Sequence, residues 1–195
     1  MIDRGAEAVA RHLTQLADAA QQSARELSVA ASDIAQLVVQ TLEAGNKLLF
    51  CGNGGSAADA QHLATEYVVR FRHARRAFAA LALTTDSSLL TAASNDLGFV
   101  HVFARQIEAL GRAGDLLFLH TTSGESENLV AAAERARALR IVTVGMLARG
   151  GGRLRDLVDH AIVIPTDDGA HAQELHLALG HAICDIVDAQ LGGGP

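Results

Sequence analysis

Five short apolar runs, each separated from the next by a helical pattern, constrain the fold of this chain more than any other feature. They fall at Leu48–Cys51, Ala79–Leu83, Asp115–Leu119, Ile141–Gly145 and Ala161–Ile164. Helical spacing of apolar residues fills 56–70, 87–95, 99–110, 126–139 and 152–158, and a last helix covers 171–190. Short buried strands alternating with helices require right-handed crossovers and a largely parallel sheet covered on both faces. The expected architecture is α/β, a three-layer α-β-α sandwich around a five-stranded, mostly parallel sheet.

Ahead of the first strand, two helices are expected. Leu13, Leu16 and Ala20 recur at helical spacing, and a second run follows from about Ser32 through Ile34, Leu37, Val38 and Leu42. Ala44-Gly45-Asn46 then stops it. At 195 residues the chain reads as one domain: 1–45 as helices whose apolar faces exceed what one small domain can cover, 46–190 as the α/β core, and 191–195 as a flexible tail ending Gly-Gly-Gly-Pro. The surplus apolar surface predicts a homotetramer.

Composition excludes several classes. A net charge of −6 argues against a broad nucleic-acid surface, and it requires any anionic ligand to find a local cationic or amide-lined pocket. No stretch approaches the roughly 18 apolar residues of a membrane span. Cys51 and Cys184 have no metal or redox spacing, which fits a reducing compartment. A cytoplasmic protein with neither membrane nor nucleic-acid partners is expected.

In parallel α/β folds ligands bind beyond the carboxyl ends of the strands. Two of those ends are unusually polar: Gly52-Asn53-Gly54-Gly55-Ser56, and Thr121-Thr122-Ser123-Gly124-Glu125-Ser126. A glycine-rich turn opening a helix lets backbone amides approach an anion, and the helix terminus adds positive partial charge. Neither loop carries the dinucleotide or Walker pattern, so a sugar or a small phosphate suits them better than a nucleotide. Ser56 and Ser126 also suit simple helix caps.

Just beyond the first loop, His62 and Glu66 are four residues apart and share a helical face, a spacing that serves a metal pair or a catalytic pair. In the last helix Gln173 and His181 are eight apart, about 80° around the axis, close enough to converge on one site. His176 lies to the other side of Gln173 and reads as a packing or supporting residue.

The run "CGNGGSAADAQH" with Glu66 and Arg70, then "NDLGF" at 95–99, "TTSGES", and the Gln-Glu-x-His segment ending in His181 resemble the sugar isomerase (SIS) domain of the phosphoheptose isomerase family. The resemblance runs from about Gly45 to Val187 and implies a flavodoxin-like SIS fold. It further implies an aldose–ketose isomerase converting D-sedoheptulose 7-phosphate to D-glycero-D-manno-heptose 7-phosphate. By the same resemblance, Ser56, Thr121, Thr122, Ser123 and Ser126 hold the substrate, mainly its phosphate. Asn53 and Gly54 meet the sugar side, Arg70 and Asp96 line the site, and Gln173 joins them. Glu66 and His181 form the acid/base pair, with Glu66 favoured as the carbon base and the reverse assignment left open. One Zn2+ per subunit is implied on His62, Glu66, Gln173 and His181, in pockets near subunit interfaces.

Departures from the family pattern are few. Glu125 stands where Asn is usual, and a carboxylate beside a phosphate loop repels the ligand unless it points outward or pairs with an Arg. Thr121 replaces Ser, His171 replaces an Arg, and Arg76-Ala77 replaces Arg-Pro. The rival function is that of a non-catalytic SIS regulator, which binds a replication-initiator protein. It carries Asn at the terminal histidine and Arg at the position of Ser123, whereas His181 and Ser123 here favour the enzyme.

Overall fold

The computed structural model describes residues 4–192. A long helix α1 (Arg4–Glu43) leads into β1 (Leu48–Gly52), α2 (Gly55–Val68), β2 (Ala80–Ala82), α3 (Ser87–Leu97), α4 (Val102–Leu110), β3 (Leu116–His120), α5 (Glu127–Ala138), β4 (Val142–Ala148), β5 (His160–Ile164) and α6 (Gly169–Leu191). The five strands form one sheet in the order β2-β1-β3-β4-β5, and every pairing is parallel. This is the flavodoxin-like order, whose connectivity reverses between β1 and β3.

Alternation along the strands builds the two cores. Leu48, Phe50, Leu116, Phe118, Val144 and Met146 face α1, α2 and α6. Their neighbours Leu49, Cys51, Leu117, Leu119 and Leu147 face α4 and α5. Each fully buried aliphatic side chain contributes about 1.5–3 kcal/mol, so the two faces together fix strand register.

The N-terminus differs from expectation. In place of two helices stands one 40-residue helix, about 60 Å long. Ala19, Ala20, Leu27 and Ala31 carry the apolar stripe across the presumed gap, and no Gly or Pro lies between Gly5 and Gly45 to break it. Its end conforms to expectation: Gly45 adopts φ +78°, the N–H of Gly45 donates to Leu42 O and that of Asn46 to Thr41 O, a Schellman stop. The second half of α1 packs on the core, while Val9, Leu13 and Val29 are exposed.

A second difference lies at 152–158. The helix expected there is a pair of short 3₁₀ turns, Arg149–Gly151 and Arg153–Asp156, because Gly150, Gly151 and Gly152 all take positive φ. Of the expected tail, α6 claims Leu191, and residues 193–195 lie outside the described part of the chain.

Candidate active site

The two polar loops emerge at the switch point. Gly52 pairs with His120 at the adjoining ends of β1 and β3, so the segments that follow are neighbours by topology. Two reciprocal hydrogen bonds tie them: Asn53 Nδ2 donates to Asn128 Oδ1 (2.9 Å) and Asn128 Nδ2 to Asn53 Oδ1 (2.8 Å). Asn53 is thus committed to joining the loops. Asn128 had no sequence signal beyond its place at the start of a helix.

The second loop folds around a hydroxyl. Thr121 Oγ1 accepts from the backbone N–H of Ser123 (3.3 Å) and Gly124 (3.2 Å), and Ser123 Oγ accepts from the N–H of Glu125. Gly124 takes φ +69°, and a β-carbon there would lie 1.9 Å from Gly151 O, so no other residue fits without moving the backbone. Among the described residues, neither Ser56 nor Ser126 caps its helix through its side chain. The first N–H groups of α2 and α5 likewise lack helical partners.

Glu125 is engaged by the segment that follows β4. Its Oε1 accepts the backbone N–H of Arg153 at 3.0 Å, while Glu127 takes the Arg153 guanidinium at 2.6 Å. A cation not anticipated from sequence stands on the other side. A β-carbon on Gly169 would approach both Arg149 Nη2 (3.3 Å) and Thr122 Oγ1 (3.8 Å), which puts a guanidinium beside the hydroxyl loop.

Helices α2 and α6 run side by side behind the glycine loop. Gly55 abuts Gln173 and, two turns on, Gly180 abuts Leu63; a β-carbon on Gly180 would come within 2.6 Å of that leucine. This close approach brings His62 and His181 together, Nε2 to Nε2 at 2.9 Å with the rings tilted by 56°, and His62 Nε2 is also 3.2 Å from Glu66 Oε1. One donor atom from each of His62, Glu66 and His181 lies within 4.8 Å of the others. Phe71 stacks on His181 at 5.4 Å between ring centroids. Burial pushes the His181 pKa down, helped by the His62 charge and opposed by Glu66.

Gln173 reaches α2 nearer the glycine loop, where its amide lies against Gly55 and beside Asp59. Asp59 is the residue that sequence reasoning passed over, although it sits three before His62 on the same helix. It is buried, its Oδ2 has no hydrogen-bond partner among the described residues, and burial raises its pKa to about 6 against the lowering by Gln173 and His62. His176 is buried and bonded to Leu147 O at 3.0 Å, a packing role as expected.

Behind Glu66, Arg75 closes the end of α2. Its guanidinium donates to the carbonyls of Glu66 (2.7 Å) and Tyr67 (2.9 Å) and to Asp188 Oδ1 on α6 (2.6 Å). Asp188 also accepts the N–H groups of Arg72 and His73. Two of the expected lining residues are not brought to this cluster. Arg70 lies exposed just past α2, and Asp96 faces a wide groove between α3 and α4 beside Leu89, Leu97 and Arg105. That groove holds neither polar loop and no His–Glu set, so the chemistry is assigned to the switch point.

Fold and site together define a sugar isomerase domain: the family model described as the SIS domain matches residues 10–148. Within that class the chain belongs to the phosphoheptose isomerase family. It is 49% identical to the phosphoheptose isomerase of Akkermansia muciniphila over 161 residues, 83% of this chain and 85% of that one. With the enzyme of Bradyrhizobium sp. strain BTAi1 it shares 48% identity over 183 residues, 94% of this chain and 91% of the relative. Among solved structures, the phosphoheptose isomerase of Neisseria gonorrhoeae superposes with a TM-score of 0.90 at 41% identity, covering 94% of this chain and 98% of that one. The enzyme from Francisella tularensis gives 0.93 at 34% identity, covering 96% and 100%.

Proposed function

We propose that this chain isomerises D-sedoheptulose 7-phosphate to D-glycero-D-manno-heptose 7-phosphate. The observation that carries this reading is the convergence of Glu66, His62 and His181 behind two joined, amide-rich loops in a chain about half identical to phosphoheptose isomerases. The phosphate is received by Ser56, Ser123, Ser126 and the Thr121–Thr122 segment, with the helix termini of α2 and α5 and the Arg149 guanidinium countering the net negative charge of the protein. Gly54 leaves the loop open on the sugar side.

The reaction moves one hydrogen from C1 to C2. A base takes a proton from C1, the C2 oxygen gains a proton, and the resulting enediol is reprotonated at C2 as the C1 hydroxyl gives up its own. Glu66 and His181 supply the two proton-handling groups, with His181 passing protons between the C1 and C2 oxygens. Glu66 serves as carbon base in this reading. His62, beside both, orients them.

The donor set fits zinc: two imidazoles and a carboxylate stand close enough to share one ion. His62, Glu66 and His181 would hold it, with the Gln173 amide oxygen as the fourth ligand. A zinc ion held there would supply a Lewis acid for the substrate's oxygen atoms.

The exposed apolar residues of α1 support a homotetramer, in which a neighbouring subunit brings residues such as Asp96 and Arg70 toward each pocket. No helix among the described residues is long and apolar enough to cross a membrane, and a cytoplasmic location accords with the two unpaired buried cysteines. The test is an isomerisation assay on sedoheptulose 7-phosphate, with chelator and with added zinc. Turnover that chelator suppresses and zinc restores is expected; no interconversion under any metal condition would overturn the reading.

A further inference from the structure

A second group of imidazoles lies away from the loops, where the first half of α1 crosses the start of α6. His12 on α1 meets His171 and Glu174, which stand three residues apart on α6 and so share a face. His171 Nε2 is 3.1 Å from His12 Nδ1, and His12 Nε2 is 3.7 Å from Glu174 Oε1. One donor atom from each of the three lies within 4.8 Å of the others.

The chemistry of this trio is that of a cation site. Ligands at about 2.0–2.1 Å from a tetrahedral zinc lie roughly 3.3 Å from one another, close to the spacing of the two ring nitrogens. His171 is buried, and its other nitrogen, Nδ1, faces the Asp168 carboxylate at 4.0 Å. A carboxylate on that side favours the proton on Nδ1 and leaves the Nε2 lone pair for a metal. Asp168 is itself held in place, because it caps α6 by accepting the N–H groups of Ala170 (2.8 Å) and His171 (3.2 Å). His12 and Glu174 are about half exposed, so an ion can enter from solvent and keep water in its remaining position.

We propose that His12, His171 and Glu174 form a second divalent-cation site, suited to zinc, that ties α1 to the first turn of α6. Gln173 lies between two of these ligands in the chain and projects toward α2, so occupancy fixes the turn from which Gln173 reaches the other site. The inference rests on these residues alone and stands apart from the isomerase reading.

Zinc titration of the tag-free, full-length, chelator-stripped protein tests it, by calorimetry and by metal content after gel filtration. His12→Gln and Glu174→Gln, at half-exposed positions, are each expected to bind one equivalent per chain fewer than wild type. Each is also expected to lose part of the zinc-induced rise in Tm. His62→Gln removes a separate equivalent, so loss of that one alone bears only on the loop site. Variants that keep a native circular dichroism spectrum and the full wild-type stoichiometry would overturn the proposal, as would a wild-type chain that takes up no zinc.

Discussion

The Nε2 atoms of His62 and His181 meet at 2.9 Å across 119 residues of sequence, and Glu66 lies on the same spot one turn along α2. Two ring nitrogens this close share a proton or a cation, which makes the pair sensitive to either partner's loss. Replacing His181 by Asn removes a proton-handling group at a half-buried position while keeping a polar side chain. The expected outcome is a kcat about 10²–10⁴-fold lower with an unchanged thermal melt. Glu66→Gln should do the same, and a steady-state assay beside a melting curve checks both.

The Arg75–Asp188 pair is a structural clamp, with side chains 2% and 1% exposed. Removing Asp188 strands the buried Arg75 guanidinium and leaves the N–H groups of Arg72 and His73 without their acceptor. Asp188→Ala is expected to cost about 3–5 kcal/mol in denaturant unfolding. An effect within about 0.5 kcal/mol would show that α2 is held by other contacts.

Buried histidines predict the acid side of the stability profile. His120 is enclosed among Phe50, Phe118 and Met146, and burial, aided by the His176 charge, lowers its pKa to about 3; burial lowers that of His176 to about 4. Both bind a proton once unfolded, near pH 6.5, before they do so when folded, so stability falls as pH drops below 6.5. Asp59 acts in the opposite sense, since its folded pKa is raised to about 6 and it favours the native state toward lower pH. Replacing His120 by Leu should flatten the decline between pH 6 and 4 by about 1.4 kcal/mol per pH unit. Urea titrations at several pH values would read it.

Gly124 offers a test of the hydroxyl loop. Its φ of +69° and its contact with Gly151 O leave no room for a methyl group. Gly124→Ala must shift the loop off Thr121 Oγ1, and a KM raised about tenfold or more is expected, with global stability lowered by roughly 1–2 kcal/mol for the left-handed backbone. A KM within twofold of wild type would detach this loop from substrate binding.

Much of this was legible in the chain. The period-2 and period-3.6 patterns marked the strands and helices, and the glycine loop with His62 and Glu66 marked the site. What escaped notice depended on partners distant in sequence. Asn128 acquires its role only opposite Asn53, Arg75 only against Asp188, and His12 only against His171. The join within α1 was misread because a thinning apolar stripe resembles a boundary, although without Gly or Pro the backbone has no cause to stop. At 152–158, apolar spacing suggested a helix that three left-handed glycines forbid.

The mutual amide embrace of Asn53 and Asn128 has a bearing on affinity. Each amide both gives and receives, so the segment after β1 and the head of α5 are locked as a single jaw before any sugar arrives. The disorder lost in bringing these segments together is lost when the chain folds, and the encounter with ligand is spared it.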